Sequence, residues 1–254
     1  MNKINVVDNK IIPFDNTDVI LNNNIITFTN NGDYYLEYIT SDNVNITINV
    51  DDNVCVQLFE YSNNNDINTN ITYNLGKNSS LIISKFYYND NTNEEINIYL
   101  NKKNANIKYN FSSISKNHDN YLINIYHNDS TTNSDVFNRT IAKENSSNNF
   151  DINSYVENKI LDCYLNQSTK IITLGDSNNK INPNMFTHDN SVTAIHASVI
   201  GNVNEEELFY LMSRGISYNE AIKIIIKGII LSNINPNMEY REKILNILEE
   251  VGGE

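Results

Sequence analysis

The feature that most constrains the fold is a strict alternation of apolar and polar residues in short runs. In residues 44–50, four aliphatic residues alternate with two Asn and one Thr. Successive side chains of a strand point to opposite faces, so this pattern predicts a strand with one buried face. Similar runs are found at Val54–Tyr61, Asn70–Leu75, Leu81–Tyr88, Glu94–Leu100, Ile107–Phe111, Tyr121–Tyr126, Ile152–Val156, Lys170–Leu174 and Ser191–Ala197. Many short strands with no helical pattern between them predict a sandwich, a barrel or a β-solenoid.

The turns between these runs favour the solenoid without settling the choice. Asn-Gly and Asp-Gly dipeptides, which are typical of tight hairpins, are nearly absent apart from Asn31-Gly32. Asn accounts for 52 of the 254 residues, and the corners of stacked coils tolerate ladders of Asn and Ser. An AT-rich genome would also raise the Asn content. No sequence repeat is visible, although a repeat is the expected signature of a solenoid.

Charge and cysteine usage exclude several classes of function. The formal net charge of −13 disfavours binding to nucleic acid or to anionic lipid, because both would be repelled. Cys55 and Cys163 lie far apart without zinc-ligand spacing, so neither a disulfide framework nor a zinc site is predicted. The N-terminus has no apolar signal segment, and the most apolar run, Ile222–Leu231, is too short to span a membrane. We therefore expect a cytoplasmic protein.

The period changes near residue 204, where three helices are predicted. Asn204 followed by three Glu residues is an N-cap with an acidic first turn, and Arg214-Gly215 ends this helix. The capping box Ser217–Glu220 opens a second helix that runs to about Leu231. Met238–Val251 has the apolar stripe of a third helix. The chain therefore divides into a strand-rich body, residues 1–203, and a helical subdomain, residues 204–254.

The second helix has apolar residues around most of its circumference. Seven aliphatic residues lie between Ile222 and Leu231, about twice as many as one core-facing stripe needs. Two interpretations remain open. The helix is buried between the other helices and the β body, or it exposes an apolar groove to a partner.

The C-terminal third contains a long motif. It consists of His196-Ala197-Ser198-Val199-Ile200-Gly201, then Leu208-Phe209-Tyr210-Leu211-Met212-Ser213-Arg214-Gly215-Ile216 after an acidic gap, then Glu220-Ala221 and the aliphatic helix up to Gly228. This motif closely resembles the signature of the SufB/SufD family, which includes a His-Gly-Ala-Thr-Val-Gly strand followed by Leu-Phe-Tyr-Leu-x-Ser-Arg-Gly-Ile. Weaker, collinear similarity begins near residue 120 and includes Asn166-Gln167 and Asn182-Pro183.

The resemblance implies a right-handed parallel β-helix with a C-terminal helical subdomain. Family members are non-catalytic scaffolds for iron–sulfur cluster assembly. Their β-helix pairs with a SufB-like paralogue or with itself, and their C-terminal helices dock the ABC-type ATPase SufC. The N-terminal helical region of longer members is missing here, so the sequence looks like a minimal version. The residues that would dock the ATPase are Leu208, Phe209, Leu211, Arg214, Ile222, Ile225, Ile226 and Ile229.

The same resemblance places the chain on the SufD side of the family. Ser168 stands where SufB-like members have a cysteine, and Ile195 and Ala197 replace two glutamates. Serine is a poor ligand for soft iron–sulfur chemistry, so we expect no stably bound cofactor. A transient cluster or iron at a subunit interface would involve His196, since a neutral imidazole ligates iron. Weaker candidates are His127, His188 and Cys163.

Other functional classes have less support in the sequence. No nucleotide-binding, hydrolase or metalloprotease motif is present, so we expect no enzyme. The alternative is an exported or cytosolic β-helix protein that acts on or binds carbohydrate, which would need clustered carboxylates and aromatic platforms. The chain has no Trp, and strand tyrosines such as Tyr87, Tyr88 and Tyr99 are more typical of packing. An Asn-rich surface adhesin would need a signal peptide.

Overall fold

The strands of a computed structural model form two parallel sheets that face each other and share one core. The structure describes residues 2–7, 9–12, 18–39, 43–188 and 190–251. Strands β1 to β17 alternate between the two sheets from β4 onward. The first sheet contains β1 (Asn2–Val7), β2 (Lys10–Ile12), β5 (Gly32–Tyr38), β7 (Cys55–Ser62), β9 (Ser80–Tyr87), β11 (Asn106–Ser115), β13 (Asn133–Ala142), β15 (Tyr164–Thr173) and β17 (Thr193–Asn202). The second contains β3 (Val19–Asn22), β4 (Ile25–Phe28), β6 (Asn43–Val50), β8 (Asp66–Leu75), β10 (Asn91–Leu100), β12 (His118–His127), β14 (Ser147–Val156) and β16 (Asn178–Thr187).

This arrangement is a parallel β-solenoid of about six turns. Each strand pairs with the strand one coil further along the chain, so Gly32 pairs with Val56 and Asn133 with Tyr164. The coils lengthen toward the C-terminus, because these two pairs are separated by 24 and 31 residues respectively. The structure confirms the predicted mainly-β solenoid, which the alternation alone could not distinguish from a sandwich or barrel.

The core is made by the inward half of each alternating strand. Ile71, Ile96, Ile123 and Ile152 occupy one register position on β8, β10, β12 and β14, and all are buried. Stacking of like aliphatic side chains removes their surface from water and stabilises each coil on the next, by about 25 cal/mol per Å². The polar residues of the alternation lie on the outer faces.

Asparagine turns the chain at one corner of the solenoid. Asn53, Asn78 and Asn104 have φ values of 64°, 53° and 59°, and Asn tolerates this left-handed conformation better than most residues. Their side chains also form a ladder, since Asn104 Nδ2 donates to Asn78 Oδ1 and Asn78 Nδ2 donates to Asn53 Oδ1, each at 2.9 Å. Part of the unusual Asn content therefore has a structural use.

The two ends of the solenoid differ. At the N-terminal end, β1 pairs with β2 and β3 with β4 in antiparallel hairpins. At the C-terminal end, β16 and β17 are the last strands of their sheets. The alternation did not predict β13 or β16, because their inward positions include Ser134, Asn138 and Thr140 on one strand and Asn179 and Pro183 on the other.

Three helices follow the last strand among the described residues, as predicted. They are α1 (Glu205–Ser213), α2 (Tyr218–Asn233) and α3 (Met238–Val251). Asn204 caps α1, and Ser217 with Glu220 forms the capping box of α2. Helices α2 and α3 cover part of the outer face of the first sheet, where Ile226, Ile230 and Ile244 pack against outward residues such as Phe86. Much of the apolar surface of α2 is therefore buried, which agrees with the first of the two interpretations. No helix among the described residues is long and apolar enough to cross a membrane.

Candidate functional site

The C-terminal end of the solenoid is an uncovered sheet edge. Strand β17 pairs with β15, and nearly all of its ten residues are exposed. Its outward side chains include Ile195 and Val199, which are 48% and 51% exposed, and Phe186 on β16 is 48% exposed. A long exposed edge with apolar side chains is a ready template for pairing with another chain.

His196 lies at the mouth of the solenoid interior. It pairs in register with Gln167, whose side chain points inward and is buried. Gln167 Nε2 donates to Ser154 Oγ at 2.8 Å and to the carbonyl oxygen of Asn184 at 3.2 Å, so it links the two sheets just behind His196. His196 itself is exposed, because no further coil stacks on β17 within the described residues. Its imidazole is therefore accessible to a partner at this end.

The weaker histidine and cysteine candidates lie in different surroundings. His127 is buried, with Nδ1 2.8 Å from Thr132 Oγ1 and Nε2 3.0 Å from Ser134 Oγ. Burial lowers the pKa of His127 to about 4, so its ring is neutral and both nitrogens are engaged. Cys163 is also buried, and its Sγ lies 3.3 Å from Thr132 Oγ1. His188 is exposed after β16.

The chain does not bring these residues together into a metal centre. Within the described residues, no group of three or more His, Cys, Asp or Glu side chains is placed to hold a metal ion. Ser168 lies on the outer face, where its Oγ accepts a hydrogen bond from Arg139 at 3.2 Å. Among the candidate residues, the arrangement leaves the imidazoles of His196 and His188 exposed and the imidazole of His127 and the thiol of Cys163 buried.

Helix α1 presents a second exposed apolar surface. It packs on α2, and it has no buried residue. Phe209 is 75% exposed, and Tyr210 and Met212 are also exposed. A shallow cleft of about 420 Å³ lies beside it, lined by Glu206, Glu207, Tyr210, Leu211 and Ile225.

The residues expected to dock an ATPase are spread over both faces of these helices. Phe209 and Arg214 are exposed. Ile225 and Ile226 are buried. Leu208, Leu211, Ile222 and Ile229 are partly buried and pack against the helix–sheet cluster. Four further exposed apolar residues of α1 and α2 were not predicted from the sequence as docking residues, namely Tyr210, Met212, Tyr218 and Ile224.

A buried ionic cluster inside the solenoid was also not predicted from the sequence. Lys85 Nζ lies 3.2 Å from Glu60 Oε2 and 2.7 Å from Glu94 Oε1, and all three side chains are buried. Tyr38 and Tyr73 donate hydrogen bonds to Glu60. The available signal was a charged residue at an inward position of the alternation, as in Ile83-Ser84-Lys85.

The outer face of the second sheet carries an aromatic ladder that bears on the carbohydrate alternative. Tyr99, Tyr126, Tyr155 and Phe186 stack along the solenoid with ring centroids 4.8 to 5.0 Å apart and nearly parallel planes. A sugar platform needs an exposed ring face, whereas the faces of the inner rings are covered by their neighbours. Tyr126 and Tyr155, the inner rings of this ladder, therefore act in packing.

Comparison with known proteins identifies the relatives of the chain. Residues 21–229 match the family model described as SUF system FeS cluster assembly, SufBD core domain. The chain is 25% identical over 134 residues to the iron–sulfur cluster assembly protein SufD of Bacillus subtilis. The aligned segment covers 52% of this chain and 31% of that protein. It is 54% identical over 35 residues to an iron–sulfur cluster assembly SufBD family protein of Pyrococcus horikoshii, and this aligned segment covers 14% of this chain and 8% of that protein. It is 44% identical over 46 residues to the iron–sulfur cluster assembly SufBD family protein ycf24 of Galdieria sulphuraria, and this aligned segment covers 18% of this chain and 21% of that protein.

The family assignment rests on the core-domain match, which extends over most of the solenoid and into α2. The chain spans about a third or less of the length of these curated relatives. The parallel solenoid and the C-terminal helices are consistent with this core-domain match. The chain therefore belongs to the SufBD family, whose core domain serves iron–sulfur cluster assembly in the SUF system.

Proposed function

We propose that this chain is a non-catalytic scaffold subunit of iron–sulfur cluster assembly. It pairs through the open end of its solenoid with a SufB-like paralogue or a second copy, and it docks a SufC-like ABC ATPase through α1 and α2. The observation that carries the proposal is the long uncovered edge formed by β16 and β17 in a chain of this family.

Pairing is supported by the chemistry of the edge. The backbone groups of an edge strand make only half of their ladder hydrogen bonds, and another strand completes them. Ile195 and Val199 on β17 add exposed apolar surface beside that backbone. Pairing here would bury both features at once, and it would bring His196 to the interface.

Docking of the ATPase is supported by the exposure of α1. Phe209 and Met212 offer apolar anchors, and Glu206 and Glu207 flank the adjacent cleft with negative charge. Apolar anchors with a polar rim are typical of protein interfaces. Ile226 would act from beneath, by holding α2 on the sheet, whereas Ile225 lines the cleft beside α1.

The cargo would be iron or a nascent cluster shared between two chains. His196 contributes one imidazole, and the paired subunit contributes the remaining ligands. The isolated chain would then hold no stable cluster.

Two matched variants separate the two interfaces. We would co-express the chain with a SufC-like ATPase and a SufB-like paralogue, then measure complex composition by size-exclusion chromatography with light scattering. Phe209→Ser should lose the ATPase and keep pairing, whereas Val199→Asp should lose pairing and keep the ATPase. Both residues are at least half exposed, so neither change should unfold the chain. Retention of both partners by both variants would refute the proposed interfaces.

A test of His196 uses the assembled complex. His196→Ala should leave both partners bound and lower the iron content of the complex after cluster reconstitution. An unchanged iron content would remove His196 from the proposal while leaving the scaffold role intact.

A further inference from the structure

A polar groove crosses the outer face of the first sheet next to the connection between α2 and α3. Its volume is about 510 Å³, which is within the range of small-molecule sites. It extends from Asp33 on β5 to Arg139 on β13, four strands away, or about 19 Å at the usual strand spacing. Ser232 to Asn235 form one wall.

Three cations lie at the β13 end of this groove. Lys108 and Arg139 line it, and Lys170 is the cross-strand neighbour of Arg139 on β15. Like charges directly opposite each other on adjacent strands are destabilising. This concentration of positive charge is unexpected on a chain with a formal net charge of −13.

The positive charge at this end is only partly balanced by carboxylates of the described chain. None of the ion pairs between described residues includes Lys108, Arg139 or Lys170. Asp135 is the cross-strand neighbour of Lys108, and its carboxylate offsets one of the three positive charges, although the two side chains form no ion pair. Its Oδ1 accepts a hydrogen bond from Asn166 at 2.9 Å. The carboxyl end of α2 supplies only about half an elementary charge.

Arg139 is held in place by neutral acceptors. Its Nη1 donates to the carbonyl oxygens of Asn138 and Ser168 at 2.8 and 3.1 Å, and its Nη2 donates to Ser168 Oγ at 3.2 Å. The guanidinium is partly buried, and burial lowers the pKa of Arg139. A fixed guanidinium of this kind is preorganised to bind an oxyanion.

We propose that this groove binds a small molecule bearing phosphate or carboxylate groups, with its oxyanion at Lys108 and Arg139. Asn110, Ser84 and Asn235 line the groove beyond these cations and offer hydrogen-bonding groups to the body of the ligand. The groove is lined by residues of β5 to β13 and of the connection between α2 and α3, so it does not include the β16–β17 edge, although Arg139 lies only two strands from β17.

The test is isothermal titration calorimetry of the full chain with pyrophosphate and with citrate at low salt. We expect at least one probe to bind, and the stronger of the two identifies the phosphate or the carboxylate chemistry. Arg139→Gln should weaken that binding about tenfold to a hundredfold, the usual effect of losing a charged hydrogen-bond donor. Lys108→Gln, at an exposed position that does not endanger folding, should weaken it in the same direction.

Lys103→Gln is the matched control, because Lys103 is an exposed lysine outside the groove and the substitution makes the same charge change. It should leave the affinity unchanged. Absence of binding by both probes to the folded wild-type chain would overturn the proposal. So would equal weakening by Lys103→Gln and Lys108→Gln, since that would indicate unspecific attraction of anions.

Discussion

Removal of the Lys85 ammonium should be one of the most damaging single substitutions in the solenoid. Lys85 is the cation that faces Glu60 and Glu94 in the interior, and it also lies 4.8 Å from the centroid of the Tyr87 ring. Burial alone would lower the pKa of Lys85, but the two carboxylates outweigh this effect and raise it. The lysine is therefore charged in the folded protein.

The magnitude follows from the two carboxylates that remain. Lys85→Met fills similar volume but leaves Glu60 and Glu94 facing each other without a cation. Breaking a buried ion pair by removing one partner costs about 3–5 kcal/mol. With a urea dependence of roughly 3 kcal/mol per M, the unfolding midpoint should fall by about 1–1.7 M.

The assay is urea unfolding at neutral pH, followed by circular dichroism, with a surface pair as control. Lys116 lies 2.8 Å from Asp90, and both side chains are partly exposed, so Lys116→Met should cost no more than about 1 kcal/mol. Adding Glu60→Gln and Glu94→Gln to Lys85→Met should restore much of the loss, because the buried charge is then gone. Equal midpoints for Lys85→Met and Lys116→Met would refute the reasoning.

Three further predictions concern other parts of the chain. The pKa of His127 is lowered from 6.5 to about 4 in the folded protein, so the unfolded chain binds the proton more tightly. The stability of the wild type relative to His127→Gln should therefore fall by about 3 kcal/mol as the pH drops from 6.5 to 4. A difference in unfolding free energy that does not vary with pH would contradict this. Asn78→Ala should lower the unfolding free energy by about 1–2 kcal/mol, because it removes both ladder hydrogen bonds and places alanine in a left-handed conformation. Asn78→Gly should cost less, since glycine tolerates this conformation. The reverse order of the two variants in urea unfolding would exclude the corner explanation. Phe209→Ser should change the unfolding free energy by less than about 0.5 kcal/mol, since Phe209 is largely exposed; a larger loss in thermal unfolding would show that α1 depends on this ring.

The strands that the sequence predicted are those with a run of apolar residues at alternating positions, even where one inward residue is polar, as Lys85 is on β9. Val44–Val50 is the clearest example, and it is β6 almost residue for residue. Strands β13 and β16 were not predicted, because the alternation is defined by polarity and polar residues occupy several of their inward positions. Their positions are fixed by pairing with β11, β14 and β15, which is tertiary information.

The helix ends were predictable because capping is local. Asn204 and the Ser217–Glu220 box specify their helices through side-chain hydrogen bonds to nearby backbone, and the structure contains both. The faces of α2 were less predictable. Ile225 and Ile226 are buried while Ile224 is exposed, and this choice depends on where the sheet and the other helices lie.

The candidate site followed from the sequence only through the family motif. A lone histidine between Ile195 and Ala197 carries no local signal of its own. Its accessibility results from the end of the solenoid at β17, which periodicity does not predict. The cations at the groove were equally hidden, because Lys108, Arg139 and Lys170 are far apart in sequence and meet only through the register of three strands.

The difference between the two solenoid ends is a physical reason to expect a partner. A parallel stack exposes unpaired backbone at both ends, and soluble proteins cover or interrupt such edges. At the N-terminal end, the short antiparallel strands β2 and β3 form the last rung, so little backbone is left open. At the C-terminal end, β16 and β17 each present ten residues without such a cap within the described chain. An edge that is covered in an assembled complex needs no cap of its own, so the proposed pairing at β16–β17 would account for the asymmetry with a single cause.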